Sequence, residues 1–159
     1  REAAVAITGD PVADLWALGA AYYSNAIENP NLYQAMFMDG PIDEADAGVG
    51  LDTFGQLVTT VQRGIDAGRL DPADPVGLAT QLWALIHGLV TLELARLLST
   101  DQVLVCLDDG ARNLITAFGD DPRAFGRSLA RATDRSARPA IRGRPVSAVD
   151  TAGSRSFRG

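Results

Sequence analysis

The sequence predicts an all-α chain of about five helices. Three observations carry that prediction. Apolar residues recur at i, i+3, i+4 and i+7 through most of residues 12–118. Helix-start signals precede these patterns: Asp10-Pro11, Asp74-Pro75, and Ser99 with Gln102 three residues on. No stretch shows the apolar–polar alternation of a half-buried strand.

The first helix places Val12, Leu15, Trp16, Gly19, Tyr22, Tyr23, Ala26 and Ile27 on one face. Asp10 suits its N-cap and Pro11 its first position. Pro30 interrupts the pattern because it has no N–H and clashes with the preceding turn. A short second helix then carries Leu32, Tyr33, Met36 and Phe37. Residues 39–52, DGPIDEADAGVGLD, are rich in Gly and Asp and read as a solvated loop beside a pocket entrance. Ala45 and Ala47 stand where a calcium loop needs oxygen ligands, and no Glu closes it, so the EF-hand pattern fails. The third helix shows Phe54, Leu57, Val58, Val61 and Ile65, with Gly68 at its end. The fourth runs from about Val76 to Leu98 behind Asp74-Pro75. The fifth follows Ser99 and holds Leu104, Leu107, Ala111, Leu114, Ile115 and Phe118, and Gly119 and Pro122 stop it.

The 159 residues suffice for one domain with a sizeable core, placed at residues 1–121. That part carries 5 Arg against 18 Asp and Glu, net −13. Residues 122–159 carry 9 Arg against Asp134 and Asp150, net +7, with few large apolar side chains. They read as an Arg-rich, mostly disordered tail, with at most salt-dependent attraction to nucleic acid. The acidic body repels a phosphate backbone and is no DNA-binding surface. All 14 basic residues are Arg, the mark of GC-rich, bacterial coding. A lone Cys106 cannot form an internal disulfide, and no secretory signal is visible, so a reducing cytoplasm is the expected location. The longest apolar stretch, residues 82–98, includes His87, Glu93 and Arg96 and falls short of the roughly 20 apolar residues a bilayer requires, so no membrane partner is expected.

The only histidine, His87, lies inside that stretch. A general base needs an orienting partner and a reachable nucleophile. Thr91 is the polar neighbour one turn on, and Cys106 stands in no nucleophile motif, so no enzymatic activity is expected. A single imidazole without Cys or carboxylate ligand spacing is no metal site, and no cofactor is expected either. Two readings stay open: a core histidine satisfied by one or two hydrogen bonds, or a polar anchor in an otherwise apolar pocket. The helix around it is apolar nearly all round, so both faces need covering. One face carries Thr80, Trp83, His87, Val90 and Leu94; the other carries Leu85, Gly88, Leu92 and Ala95. Five helices supply too few partners for both, and a second copy of the chain would cover the remainder. Large aromatic residues are concentrated in the first four helices, either as plain core or as the lining of an apolar pocket. The candidate ligand-site residues are Trp16, Tyr23, Tyr33, Phe37, Phe54, Leu57, Trp83 and His87.

The spacing W-x-x-x-H-G in LWALIHGLVTLELA, formed by Trp83, His87 and Gly88, resembles the WHG motif of tetracycline-repressor-type (TetR family) transcription regulators. DPVADLWALGAAYYSNAIENPNLYQAMF resembles the first helix of their ligand domain with its proline break, and VQRGIDAGRLDPADPVGLATQLWALIHGLV resembles the approach to the penultimate helix. The resemblance covers roughly residues 10–118. It implies a homodimeric, all-α regulator, commonly a repressor, whose C-terminal domain binds a small molecule. It also implies a four-helix dimer interface built from the last two helices, here about residues 76–98 and 101–118. The interface candidates are then Leu85, Gly88, Leu92, Ala95, Leu107, Ala111, Leu114 and Phe118. Operator DNA is expected only through a helix-turn-helix ahead of residue 1, since nothing in residues 1–159 has that pattern. The functional expectation is an effector-binding and dimerisation domain for a small, mostly apolar molecule. A small all-α enzyme or carrier, or a dimeric scaffold without ligand, are the alternatives.

Overall fold

The computed structural model describes residues 7–37 and 44–137. Its elements, among those residues, are six helices: α1 (Pro11–Glu28), α2 (Pro30–Phe37), α3 (Glu44–Asp66), α4 (Pro75–Leu94), α5 (Thr100–Ala117) and α6 (Pro122–Ala137). The helix starts follow the sequence signals. Asp10 accepts from the Ala13 N–H at 3.1 Å, and Asp74 accepts from the N–H groups of Val76 and Gly77. Ser99 and Gln102 form a reciprocal capping box. Just past the end of α3, Gly68 takes a φ of +64°, which lets the next two N–H groups turn back to the Gly64 carbonyl.

Three expectations need correction. Residues 39–52 are not wholly a loop, because α3 already begins at Glu44; residues 39–43 lie outside the described ones. Extending an existing helix is far cheaper than nucleating one, so the helix reaches back from residues 53–66. α4 stops at Leu94 rather than Leu98, because Arg96 adopts a left-handed φ of +58° and the Leu97 N–H returns to the Leu92 carbonyl. The third correction concerns the tail. Residues 122–137 form α6, while the rest of that expectation, from 138 on, lies outside the described residues. The Asp121 carboxylate accepts from the N–H groups of Arg123 and Ala124, and Pro122 takes the first helical position. Phe125, Ser128 and Ala132 are each 2% exposed or less.

α4 packs on α3 and α5, α1 on α3, α4 and α6, and α2 on α1. The main core gathers Val12, Leu15, Val61, Leu70, Leu78, Ile115, Phe118 and Phe125. A second cluster joins Ala26, Tyr33, Ile86 and Val90. α4 is long and apolar enough to cross a bilayer by length and composition, yet Leu78, Ala79, Ile86, Leu89 and Val90 are buried against its neighbours.

A polar junction closes one end of the bundle. Asp10 not only caps α1; it also accepts from the Ser128 hydroxyl, Arg69 and Arg131. Burial alone would raise its pKa, but the Ala13 N–H, the Ser128 hydroxyl and the two guanidiniums hold it below the usual value. Arg69 also grips the almost fully buried Asp120 through two bonds of 2.7 and 2.9 Å. Asp14, equally buried, accepts from Arg63 and the Thr8 hydroxyl. The residues after α5 are thus tied to the start of α1.

Because Phe125 sits in this core, Phe125→Ala should lower unfolding stability by about 3 kcal/mol, the low end for a buried aromatic since it also borders a cavity. Urea titration followed by circular dichroism checks this. A loss well under 1 kcal/mol would show that α6 is not part of the cooperative unit.

Candidate functional site

A cavity of about 90 Å³ lies among α1, α3, α4, α5 and α6. α1 contributes Trp16, Gly19 and Tyr22, and α3 contributes Phe54 and Leu57. α4 supplies Trp83, Leu85 and Ile86; α5 supplies Leu107, Ala111 and Ile115; α6 closes it with Phe125. Among the described residues its lining holds no charged side chain, and Tyr22 and Thr53 bring the side-chain hydroxyls. Such a space takes an uncharged, mostly apolar molecule, because an ion there would lose its hydration without a partner.

The helix periodicities explain who reaches it. Trp16, Gly19 and Tyr22 follow one another every three residues on α1, and Gly19 leaves room: a Cβ there would meet only the Ile86 methyl, at 3.8 Å. α4 and α5 approach closely where Leu85 lies over Gly110; a Cβ at Gly110 would come within 2.9 Å of the Leu85 methyls.

Of the expected ligand-site residues, Trp16, Phe54, Leu57 and Trp83 line the cavity. Tyr23, Tyr33, Phe37 and His87 do not. His87 stands behind the wall, edge-on to Trp83 with ring centres 4.6 Å apart, and Trp83 in turn lies 5.0 Å from Phe54. Phe37 also meets His87 edge-on, and Tyr33, 5% exposed, packs on both. The imidazole is held on both sides: the Tyr22 hydroxyl is 2.8 Å from Nε2 and the Tyr33 hydroxyl 2.8 Å from Nδ1. Tyr23 faces elsewhere and donates to Glu93 at 2.7 Å, while Thr100 donates to the other oxygen of the same carboxylate. Burial, then the hydrogen bond to Glu93 and its charge, push the phenol up to about 12.

Sequence reasoning left Tyr22, Gly19, Ile86 and Phe125 out of the site. The first two were legible as part of the first helix's buried face. Phe125 was legible only through the Asp121-Pro122 start, which repeats Asp10-Pro11 and Asp74-Pro75.

The interface candidates divide. Gly88, Leu92 and Ala95 lie exposed on α4 beside Ala84, and a Cβ at Gly88 would meet nothing within 4 Å. Leu85, Leu107 and Ala111 instead face the cavity, Leu114 packs against the main core, and Phe118 is buried in it. The apolar stripe of α5 covers α4 within the chain, while Leu85, Leu107, Ala111 and Leu114 stay half-buried. Leu97, Leu104 and Val105, which the sequence reading did not assign to the interface, are exposed near the same end of α4 and α5.

No group of three His, Cys, Asp or Glu side chains converges among the described residues. Burial pulls the His87 pKa down to about 4, so the ring is neutral across the physiological range and does not titrate near 6.5 as an exposed imidazole would. The unfolded chain binds a proton below about pH 6.5 and the folded one does not until about 4. Stability should therefore fall as pH drops through that window, and His87→Gln should remove this part of the pH dependence. Melting temperatures of both chains from pH 7 to 4 check it; parallel curves would show that burial does not depress the imidazole.

Residues 15–118 match the family model described as the tetracyclin repressor-like C-terminal domain. No curated protein and no solved structure matches the chain. The matched span runs from α1 through the end of α5 and takes in most of the cavity wall together with Trp83, His87 and Gly88. By that match over well more than half its length, the chain belongs to the family of tetracyclin repressor-like C-terminal domains.

Proposed function

We infer that this domain binds a small, uncharged, mostly apolar effector and pairs with a second copy of itself as the sensing part of a transcription regulator. The observation that carries the reading is the cavity, walled by α4 and α5 on their inner sides, while the outer side of α4 stays apolar and open at Ala84, Gly88, Leu92 and Ala95. Ligand and partner would thus touch opposite faces of the same helix pair. A bound molecule acts by population shift: it favours the arrangement of α4 and α5 that fits it, and the subunit orientation follows. DNA would be read by a helix-turn-helix outside these residues, as a repressor does, since the acidic body offers phosphate no attraction.

Two experiments test this. Gly88→Arg puts a bulky charge onto the small-residue face, and losing water around an unpaired guanidinium costs several kcal/mol. Sedimentation should show a dimer for the parent chain and a monomer for the variant, and a parent monomeric at high concentration sinks the self-association claim. Gly19→Leu fills the cavity from α1 while helix propensity improves by about 0.8 kcal/mol. Toluene, followed by calorimetry, should bind the parent and lose at least about tenfold in affinity in the variant, whose melting temperature stays at or above the parent's. Undiminished binding in a folded variant places the ligand elsewhere.

A further inference from the structure

The cavity has a shallow end and a deep one. Tyr22, Leu85 and Leu107 line the first and are half-buried. Val12, Leu15, Ile115 and Phe125 line the second, each 7% exposed or less. The order follows the helices: on α1 the lining runs from Val12 out to Tyr22, and on α5 from Ile115 back to Leu107. Trp16, Phe54 and Trp83, like Tyr22, are half-buried and have room to shift outward. Phe125, at 2% exposed, is the one fully buried aromatic ring of the lining among the described residues.

Phe125 has nowhere to retreat. The Arg112 guanidinium lies over its ring, 5.2 Å from the centre. The helix that carries it is pinned on both sides. Ahead of it, Arg69 holds Asp120 by two bonds, and the Phe125 N–H donates to the Asp121 carbonyl at 2.9 Å. Beyond it, Ser128 lies one turn on and donates to the Asp10 carboxylate at 2.9 Å, and Arg131 reaches the same carboxylate. Asp10 is the N-cap of α1, so the deep wall and α1 are locked together. An apolar cavity of about 150 Å³ takes benzene. This one is about 90 Å³, so a single ring already presses on its walls. A longer molecule must push against a close-packed end, which resists added volume.

We propose that Phe125 sets the size limit of the ligand, so that a neutral apolar molecule built on one ring is accepted and a fused two-ring one is refused. Ser128 is a positioning residue for that limit, since it fixes α6 on Asp10 without reaching the cavity. The inference rests on reading the cavity as a ligand site and adds the dimension of its occupant. α6 lies beyond the family span of residues 15–118, so the limit belongs to this chain's own last helix.

Toluene and naphthalene, titrated into the whole chain, test it. Both are uncharged, and naphthalene buries more apolar surface, so burial alone would favour it. Trp16 and Trp83 line the cavity and report binding by their fluorescence. The parent should bind toluene at least about tenfold more tightly than naphthalene. In Phe125→Ala naphthalene should equal or overtake toluene. Ser128→Ala leaves every lining side chain in place. There the preference should shrink to about threefold, with toluene affinity within about twofold of the parent's. Circular dichroism checks that each variant is folded, and Ser128→Ala decides the matter if Phe125→Ala is not. Naphthalene binding the parent as tightly as toluene overturns the inference and leaves the ligand site standing. So does a preference undiminished in folded Phe125→Ala or in Ser128→Ala. Binding of neither probe to the parent overturns the ligand-site reading and this inference with it.

Discussion

Everything in this molecule is arranged around one constraint: α4 is apolar nearly all round and must be covered. α3 and α1 take one side, and the apolar stripe of α5 takes another, close enough that Leu85 rests on Gly110. That coverage decides two further features. The inner face of the helix pair meets Trp16, Phe54 and Phe125 without filling the space between them, which leaves the cavity. The outer face of α4 stays exposed among the described residues, and its residues there are small or apolar. A helix with glycine and alanine on its free side can accept another helix at short range, which is the ground for proposing the same element as the meeting point of ligand and partner.

Apolar packing does not by itself say where the bundle ends are tied. Asp10 does that work at one end. One carboxylate caps α1, receives the Ser128 hydroxyl of α6 and pairs with Arg69 and Arg131. Arg69 in turn holds Asp120 at the turn that leads into α6. Buried charges of this kind give limited net stability, because desolvation offsets most of their attraction. Their contribution is positional: removing Arg69 takes the cation from buried Asp120 and weakens the pairing of Asp10, so alternative placements of α6 are disfavoured. Phe125, which closes the cavity, is held in place by that junction.

Of the two open readings of His87, the hydrogen bonds to Tyr22 and Tyr33 match a core histidine. The ring stands behind Trp83 and outside the cavity lining. Its neutrality follows from burial, so it serves as a donor–acceptor pair rather than as a charge or a base. The neighbouring Gly88 opens the other face of the same helix. Trp83, His87 and Gly88 therefore do three jobs from one helical turn: wall, support and surface.

The sequence by itself determined the first five helices, the caps of α1, α4 and α5, and the family. Each rests on local chemistry: an Asp-Pro pair starts a helix wherever it stands, glycine ends one where φ must be positive, and a period of 3.6 marks the buried side. It also determined that Trp16, Phe54, Leu57 and Trp83 point inward. What it left undecided were choices between partners. Asp121-Pro122 ends one helix and begins the next, and only the acceptance of Phe125, Ser128 and Ala132 into the core shows that a short Arg-rich segment can be helical. Leu107, Ala111 and Phe118 form one apolar stripe on α5 whether they face their own chain or a second copy; the packing of α5 on α4 turns them inward. Tyr22 and Tyr23 are adjacent and equally aromatic, yet one lines the cavity and holds His87 while the other bonds Glu93. That distinction depends on the rotation of α1 against α4, which is set by contacts some 65 residues apart in the chain, and no local pattern encodes it.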